Sequence, residues 1–244
     1  MISDIFRKKE GGFVKSRLPQ RVISDSDEEF LKLLERVKQL PDSVFWRECF
    51  NRSRITREYS DEKVLRLGEM ASECGERYAD EYRDELDEGS VPALCNKHGV
   101  TIEELAIPQS PMLELFGLFE APNKISVRAD LLQKCDDYVK KAGIDAIIGP
   151  VSCSDVLLAH EFFHYVEWEN RDSIITCTYT EPQGLLKTER IIPALGEISA
   201  MSFARRLLSL DWNPFMLDCV MMSMDNIPAA ETIARRLLSL DTVI

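Results

Sequence analysis

Two histidines and a glutamate in the run His160-Glu161-Phe162-Phe163-His164 have the spacing of a metal site. On a helix, His160 and His164 stand at i and i+4, so both imidazoles leave one face and can bind one Zn²⁺. Glu161 lies about 100° round the helix from His160, beside the metal rather than on it. There it can accept a proton from water activated by the zinc and pass it to a leaving amine. Zinc brings the pKa of such a water to roughly 7, so a carboxylate suffices as the base. The surrounding VLLAHEFFHYVEW holds no Pro or Gly and is compatible with helix. The competing reading is a buried helix with two hydrogen-bonded histidines, each of which would need a partner.

A catalytic zinc takes three protein ligands and keeps one position open. The third ligand must come from elsewhere: from His98, or from Asp172, Glu181, Glu189 or Glu197 downstream. Glu197 is favoured. Its same-face neighbours are Ala200, Met201, Ala204 and Leu208, all apolar, which predicts a carboxylate on a buried stripe. A buried carboxylate is costly unless it is paired or holds a metal. Arg205 and Arg206, eight and nine residues on, cannot easily reach back. Glu167 follows His164 by three residues and shares its face. It can accept from an imidazole N–H, although a solvated glutamate at a helix end has the same pattern. Peptide attack also needs a donor for the oxyanion; Tyr179 and His98 are candidates, and each is equally a packing residue.

These side chains need elements to position them. Phe30, Leu33, Leu34, Val37 and Leu40 recur with helical period after Asp25, and Pro41 reads as the stop. A longer stripe runs from Val64 through Leu67, Ala71, Cys74, Tyr78 and Tyr82 to Leu86, closed by Gly89. Leu94 and Cys95 belong to a short helix ended by Gly99. MLELFGLFE over 112–120, a turn at 121–124 and Ile125-Ser126-Val127 predict a β-hairpin. Residues 130–142 are expected to be helical, 144–153 a loop or short strand, and the helix bearing both histidines begins at Asp155. Ile174 to Tyr179 is expected to be a strand, and a helix is expected from Pro193 to about Leu210. ARRLLSLD occurs at 204–211 and again at 234–241. Two copies do not make a solenoid; they predict two similar amphipathic helices.

Composition sets the class. The chain has 244 residues, 45% hydrophobic and 30% charged, which suits a globular domain rather than a low-complexity one. No apolar run is long enough to span a membrane, and the N-terminus shows no secretory signal. The 7 cysteines are scattered without CxxC spacing, which predicts free thiols in a reducing cytoplasm. The net charge of -12 is uneven: residues 1–57 carry 13 basic and 9 acidic residues, and 58–244 carry 17 and 33. So acidic a body is a poor nucleic-acid binder, and its field would steer basic segments toward it. Residues 1–24 are expected to form a basic flexible arm, 25–58 an N-terminal helical appendage, and 59–244 the main domain.

Around Glu197 the sequence reads GEISAMSFARRLLSLDWNP. This resembles the zinc-ligand helix of the ImmA/IrrE family, small intracellular metallopeptidases of the gluzincin type. Lys97-His98-Gly99-Val100, GLFE…NKISV and LLAHEFFHYVE follow in that family's order, over about residues 60–215. Two features depart from it: Phe163 stands where the family usually has Gly before the second histidine, and the segment 128–154 is longer than usual. The resemblance implies an α+β, zincin-like metallopeptidase domain with a small β-hairpin or sheet in mainly helical surroundings. It implies Zn²⁺ on His160, His164 and Glu197, Glu161 as base, and a protein or peptide substrate, often a transcriptional regulator, cut inside the cell. The alternative is a non-catalytic zinc-binding helical protein acting as an interaction or regulatory module. No nucleic-acid or membrane partner is expected, and the sequence leaves the oligomeric state open.

Overall fold

A computed structural model describes residues 25–87, 89–105, 116–183 and 188–241. The expected basic arm, 1–24, lies outside them, as do residues 112–115 of the expected hairpin. The fold is mixed α+β and mostly helical. Among the described residues no helix is long and apolar enough to cross a membrane. All 7 cysteines are free thiols, and six of them are buried.

Helix α1 spans Asp25–Lys38 and α2 spans Asp42–Asn51. Phe30, Leu33, Leu34 and Val37 are buried, as the stripe of α1 requires. The sequence pattern does not announce α2. Pro41 is not a stop alone; its extended backbone forms the N-cap of α2. Arg47 and Glu48 are buried beside Val44, Phe45, Cys49 and Phe50, so charges interrupt the apolar period. Arg47 donates to Tyr59 O at 2.9 Å and pairs with Asp61, while Glu48 pairs with Arg236. Those partners are what make the burial tolerable. Residues 25–58 thus share one continuous buried cluster with the rest of the chain, running from Phe30 to Leu237.

Helix α3, Asp61–Asp87, and the short α4, Val91–Lys97, follow. Gly99 takes φ +71°, and Val100 N–H turns back to Cys95 O at 2.8 Å, which caps α4. Three strands then form one sheet in the order β1-β3-β2: β1 Thr101–Glu104, β2 Gly117–Glu120 and β3 Lys124–Val127. The hairpin β2–β3 is antiparallel, with Phe119 opposite Ile125. β1 runs parallel to β3, with Ile102 opposite Ile125. Its TIEE sequence is mostly exposed, so neither periodicity nor apolarity marks it as a strand.

Helix α5, Ala129–Lys141, leads into a single helical turn, α6 (Asp145–Ile148), within the stretch expected to be loop or strand. Helix α7, Cys153–Glu169, carries both histidines and starts two residues before Asp155. Ser152 is its N-cap, accepting from Ser154 N at 3.1 Å and Asp155 N at 3.4 Å. Asp136 of α5 adds a second acceptor: its carboxylate takes Cys153 N–H at 2.6 Å and the Ser152 and Ser154 hydroxyls at 3.0 and 3.2 Å. The long 128–154 segment therefore anchors the start of the histidine helix.

The expected strand at 174–179 is corrected. Ile175–Thr178 forms one helical turn, α8, and the strand β4 follows at Thr180–Gln183, antiparallel to β5, Thr188–Ile191. Thr178 Oγ1 donates to Ile174 O at 2.8 Å, and Ile174 and Thr176 point into the interior. Tertiary burial outweighs the β preference of these branched residues.

Helix α9, Pro193–Leu207, presents Glu197. It ends three residues earlier than expected, because Ser209 takes φ +54° and Leu210 N–H returns to Arg205 O at 2.9 Å. The chain closes with α10, Leu217–Ser223, and α11, Ile227–Leu240. The repeated ARRLLSLD segments end α9 and α11. Each buries its Ala and a Leu, Ala204 and Leu207 or Ala234 and Leu237. Each also pairs both arginines with carboxylates: Arg205 with Asp42, Arg206 with Asp80, Arg235 with Glu29 and Arg236 with Glu48.

Two close approaches fix α7, α9 and the sheet. Gly75 of α3 lies against α9, where a Cβ would stand 2.1 Å from Ser199 O. Ser199 Oγ donates to Ala71 O at 2.7 Å across the same contact. Phe162, Phe163 and Phe203 fill the space between α7 and α9 without exposure. Each contributes about 1.5–3 kcal/mol by burial. Phe163 packs on Phe203 at 5.5 Å between ring centroids. On the other side, a Cβ on Gly117 would stand 2.8 Å from Leu157 Cδ2 and 3.3 Å from Glu161 Cγ. A larger residue here would require the Leu157 side chain to move aside.

Candidate metal centre

A cleft opens between the hairpin and the α7–α9 pair. Gly117, Leu118, Phe119 and Ala121 form one wall, and His160, Glu161, His164, Glu167, Trp168 and Arg171 form the floor and far wall. Cys177 and Glu197 complete the lining. His160 and Glu161 are buried, while His164 is slightly more open.

The imidazoles leave one face of α7, as their spacing requires. Their Nε2 atoms are 3.2 Å apart. Glu197 reaches across from α9, with Oε2 3.6 Å from His160 Nε2 and Oε1 3.9 Å from His164 Nε2. One atom from each of the three lies within 4.8 Å of the others, and among the described residues this is the group that could hold a metal. The spacing can be checked against coordination chemistry. Tetrahedral ligands about 2.05 Å from a metal stand roughly 3.3 Å from one another. The 3.2 Å between the two Nε2 atoms matches that spacing, and Glu197 brings a different oxygen near each imidazole, at 3.6 and 3.9 Å, so one of them would have to shift to share a metal with both.

The surroundings of the two histidines differ. Glu167 Oε2 lies 3.2 Å from His164 Nδ1, so it can accept that N–H and leave Nε2 for the cluster. His160 Nδ1 is buried with no hydrogen-bond partner among the described residues. Burial, reinforced by the nearby His164 charge, pushes the His160 pKa well down. Burial opposes charge on His164 too, but its bond to Glu167 and the carboxylates of Glu197 and Glu161 win, and its pKa is raised. Glu161 is pushed up, chiefly by burial and further by Glu197, against the His164 charge and the Phe119 backbone N–H.

Glu197 needs one correction. Its side chain is 45% exposed rather than on a buried stripe. Gly196, Ile198 and Ala200 around it are buried, but at Glu197 the helix faces the cleft. The carboxylate thus stays hydrated beside the imidazoles, and the cost of burying a charge is not what places it there.

The other candidates lie apart from the cluster. His98 donates or accepts at Nε2 with Glu85 Oε2 at 2.8 Å, and its ring packs edge-on against Tyr82 and Phe162. The Tyr179 hydroxyl donates to Glu181 Oε1 at 2.8 Å. Neither lines the cleft. Glu181 itself is held by Tyr59 at 2.7 Å and Lys63 at 2.5 Å. Asp172 and Glu189 are exposed and outside the cluster.

No protein-family model, curated protein or solved structure matches this chain. The site therefore rests on its own geometry.

Sequence reasoning missed the cleft's Trp168, Arg171 and Cys177. A signal for the first two was present. Trp168 and Arg171 follow His164 by four and seven residues, the spacing of the histidine stripe, although α7 itself ends at Glu169.

Proposed function

We propose that this protein is a zinc-dependent endopeptidase with a zincin-like domain, acting on an intracellular protein or peptide. The observation that carries the reading is the triangle of His160, His164 and Glu197 with Glu161 in the same cleft. An N,N,O donor set suits Zn²⁺, and three protein ligands leave a position for chemistry. When bound there, zinc supplies Lewis acidity that makes water a nucleophile near neutral pH and polarises a peptide carbonyl.

The chain's own residues supply the rest. His164, steadied at Nδ1 by Glu167, and His160 offer Nε2; Glu197 offers a carboxylate oxygen. Glu161 takes the proton of the attacking water on a carboxylate oxygen and delivers it to the nitrogen of the leaving amine. Among the described residues, β2 is paired on one edge alone, by β3, and its Leu118 and Phe119 line the cleft. An extended peptide can add along such an edge and bring its carbonyl to the cluster. The resemblance to the ImmA/IrrE family agrees with this reading and suggests a transcriptional regulator as substrate.

The test is Glu161→Gln. It keeps all three ligands and removes the base. Zinc content should stay at about one per chain while peptide hydrolysis falls by several orders of magnitude. A mutant as active as wild type would sink the mechanism. Zinc on both proteins with hydrolysis by neither, over a broad peptide pool, would favour the non-catalytic zinc module.

A further inference from the structure

The far wall of the cleft carries a pair of residues that neither zinc binding nor proton transfer uses. Trp168 is a large aromatic left 37% exposed. The Arg171 guanidinium carbon sits over its ring, 4.4 Å from the centroid. Arg171 Nη1 also donates to Trp168 O at 2.7 Å. Stacking and this bond hold a normally mobile side chain in one place. A stacked guanidinium keeps in-plane N–H donors at its edge, the geometry that matches a carboxylate.

Charge makes the pair more than a packed surface arginine. Arg171 is the one arginine or lysine among the residues lining the cleft, against Glu161, Glu167 and Glu197. Glu167 is engaged by His164, and Glu197 faces both imidazoles. Among the described residues no carboxylate pairs with Arg171. The arginine is stacked on Trp168, lines the cleft and, among the described residues, has no anionic partner.

We propose that Trp168 and Arg171 form a carboxylate-binding subsite that selects substrates with an acidic side chain or a free C-terminus beside the scissile bond. The proposal rests on the peptidase reading for its consequence, but not for its binding. It runs opposite to the long-range field of the acidic body, which favours basic segments at a distance. The two act at different ranges: the field affects encounter, and the subsite affects which residue docks.

The experiment uses the zinc-loaded full chain and a mixed-sequence peptide pool, one half C-terminally amidated and the other half free. Cleavage sites made by wild type, and peptides retained by the Glu161→Gln protein, are read by mass spectrometry. Asp or Glu should be enriched about tenfold at one position flanking the cut, the size expected of one charge-assisted bond. Asp or Glu enrichment that persists in the amidated half assigns the carboxylate to a side chain; a preference for free over amidated peptides, whatever their side chains, assigns it to the C-terminus. Arg171→Gln should level the preference and Arg171→Glu should invert it toward Lys and Arg, with zinc content unchanged. Should Arg171→Glu fail to fold, Arg171→Gln alone carries the comparison. Equal retention of acidic and neutral peptides together with equal retention of free and amidated ones, or a preference that survives Arg171→Gln, overturns the subsite. Acidic peptides retained through Arg171 but never cut by wild type would retain the subsite and sink the peptidase.

Discussion

Gly196 makes room for Glu167: a Cβ at position 196 would stand 3.0 Å from Glu167 Oε1. The missing methyl on α9 lets the carboxylate of α7 settle beside His164 Nδ1. Helix packing and ligand orientation are therefore one feature. Glu167→Ala should weaken zinc binding by about 10–100-fold, the usual effect of removing such a partner. Gly196→Ala should weaken it in the same direction, with helical content intact. Competition with a chelator of known affinity reads both. Unchanged affinity in Glu167→Ala would mean that His164 needs no help.

Glu197 is 45% exposed, so the fold does not depend on it. Without added metal, Glu197→Ala should unfold within about 0.5 kcal/mol of wild type. Its zinc content should nonetheless fall well below one per chain. Zinc should raise the Tm of wild type and not that of the variant, because only a native site converts binding into stability. His98→Ala should retain full zinc content, since its ring is engaged with Glu85 and Tyr82. The reverse pattern of metal loss would transfer the third ligand to His98.

Gly75→Ala tests the contact that sets α9 against α3. The added methyl would meet Ser199 O at 2.1 Å, and that oxygen is backbone, which cannot rotate away. The helices must separate, at a cost of about 1–3 kcal/mol. A lower denaturant midpoint with an unchanged slope is the expected signature. Stability equal to wild type would mean that the helices part freely.

Asp136→Ala removes the acceptor that holds Cys153 N–H and two serine hydroxyls at the start of α7. Stability should fall by about 1–2 kcal/mol, the range for losing a helix cap. Asp136→Asn keeps an acceptor oxygen and should lose less. Equal losses in both would show that the charge matters and the hydrogen bonds do not. Thermal unfolding at matched zinc concentration distinguishes the two.

Much of the site was legible before any fold was known. HExxH is a local pattern: one helix places two imidazoles and a carboxylate by its own pitch, whatever packs around it. Glu167 and Trp168 are on the same footing, since they extend that stripe by one turn, whereas Arg171 lies two residues past the end of α7. Long amphipathic helices such as α3 and α5 were equally plain, because each has one side in water and one in the core. Elements whose buried face carries charge, or whose burial contradicts their propensity, were not. Arg47 and Glu48 hid α2, and the interior placement of Ile174 and Thr176 turned an expected strand into helix.

The sequence by itself determined what one stretch of chain can decide: the two histidines, their intervening glutamate and the helix that aligns them. Only the tertiary structure decided what meets them. Glu197 lies 33 positions beyond His164 in the sequence, and it reaches the imidazoles because Phe162 and Phe163 of α7 pack on Phe203 of α9, while Gly75 and Ser199 bring α3 and α9 into backbone contact. Gly117 lies where β2 packs against Leu157 of α7 and forms the opposite wall. The physical reason is that local spacing sets directions along a single helix, whereas distances between elements depend on which side chains are small enough to let backbones approach.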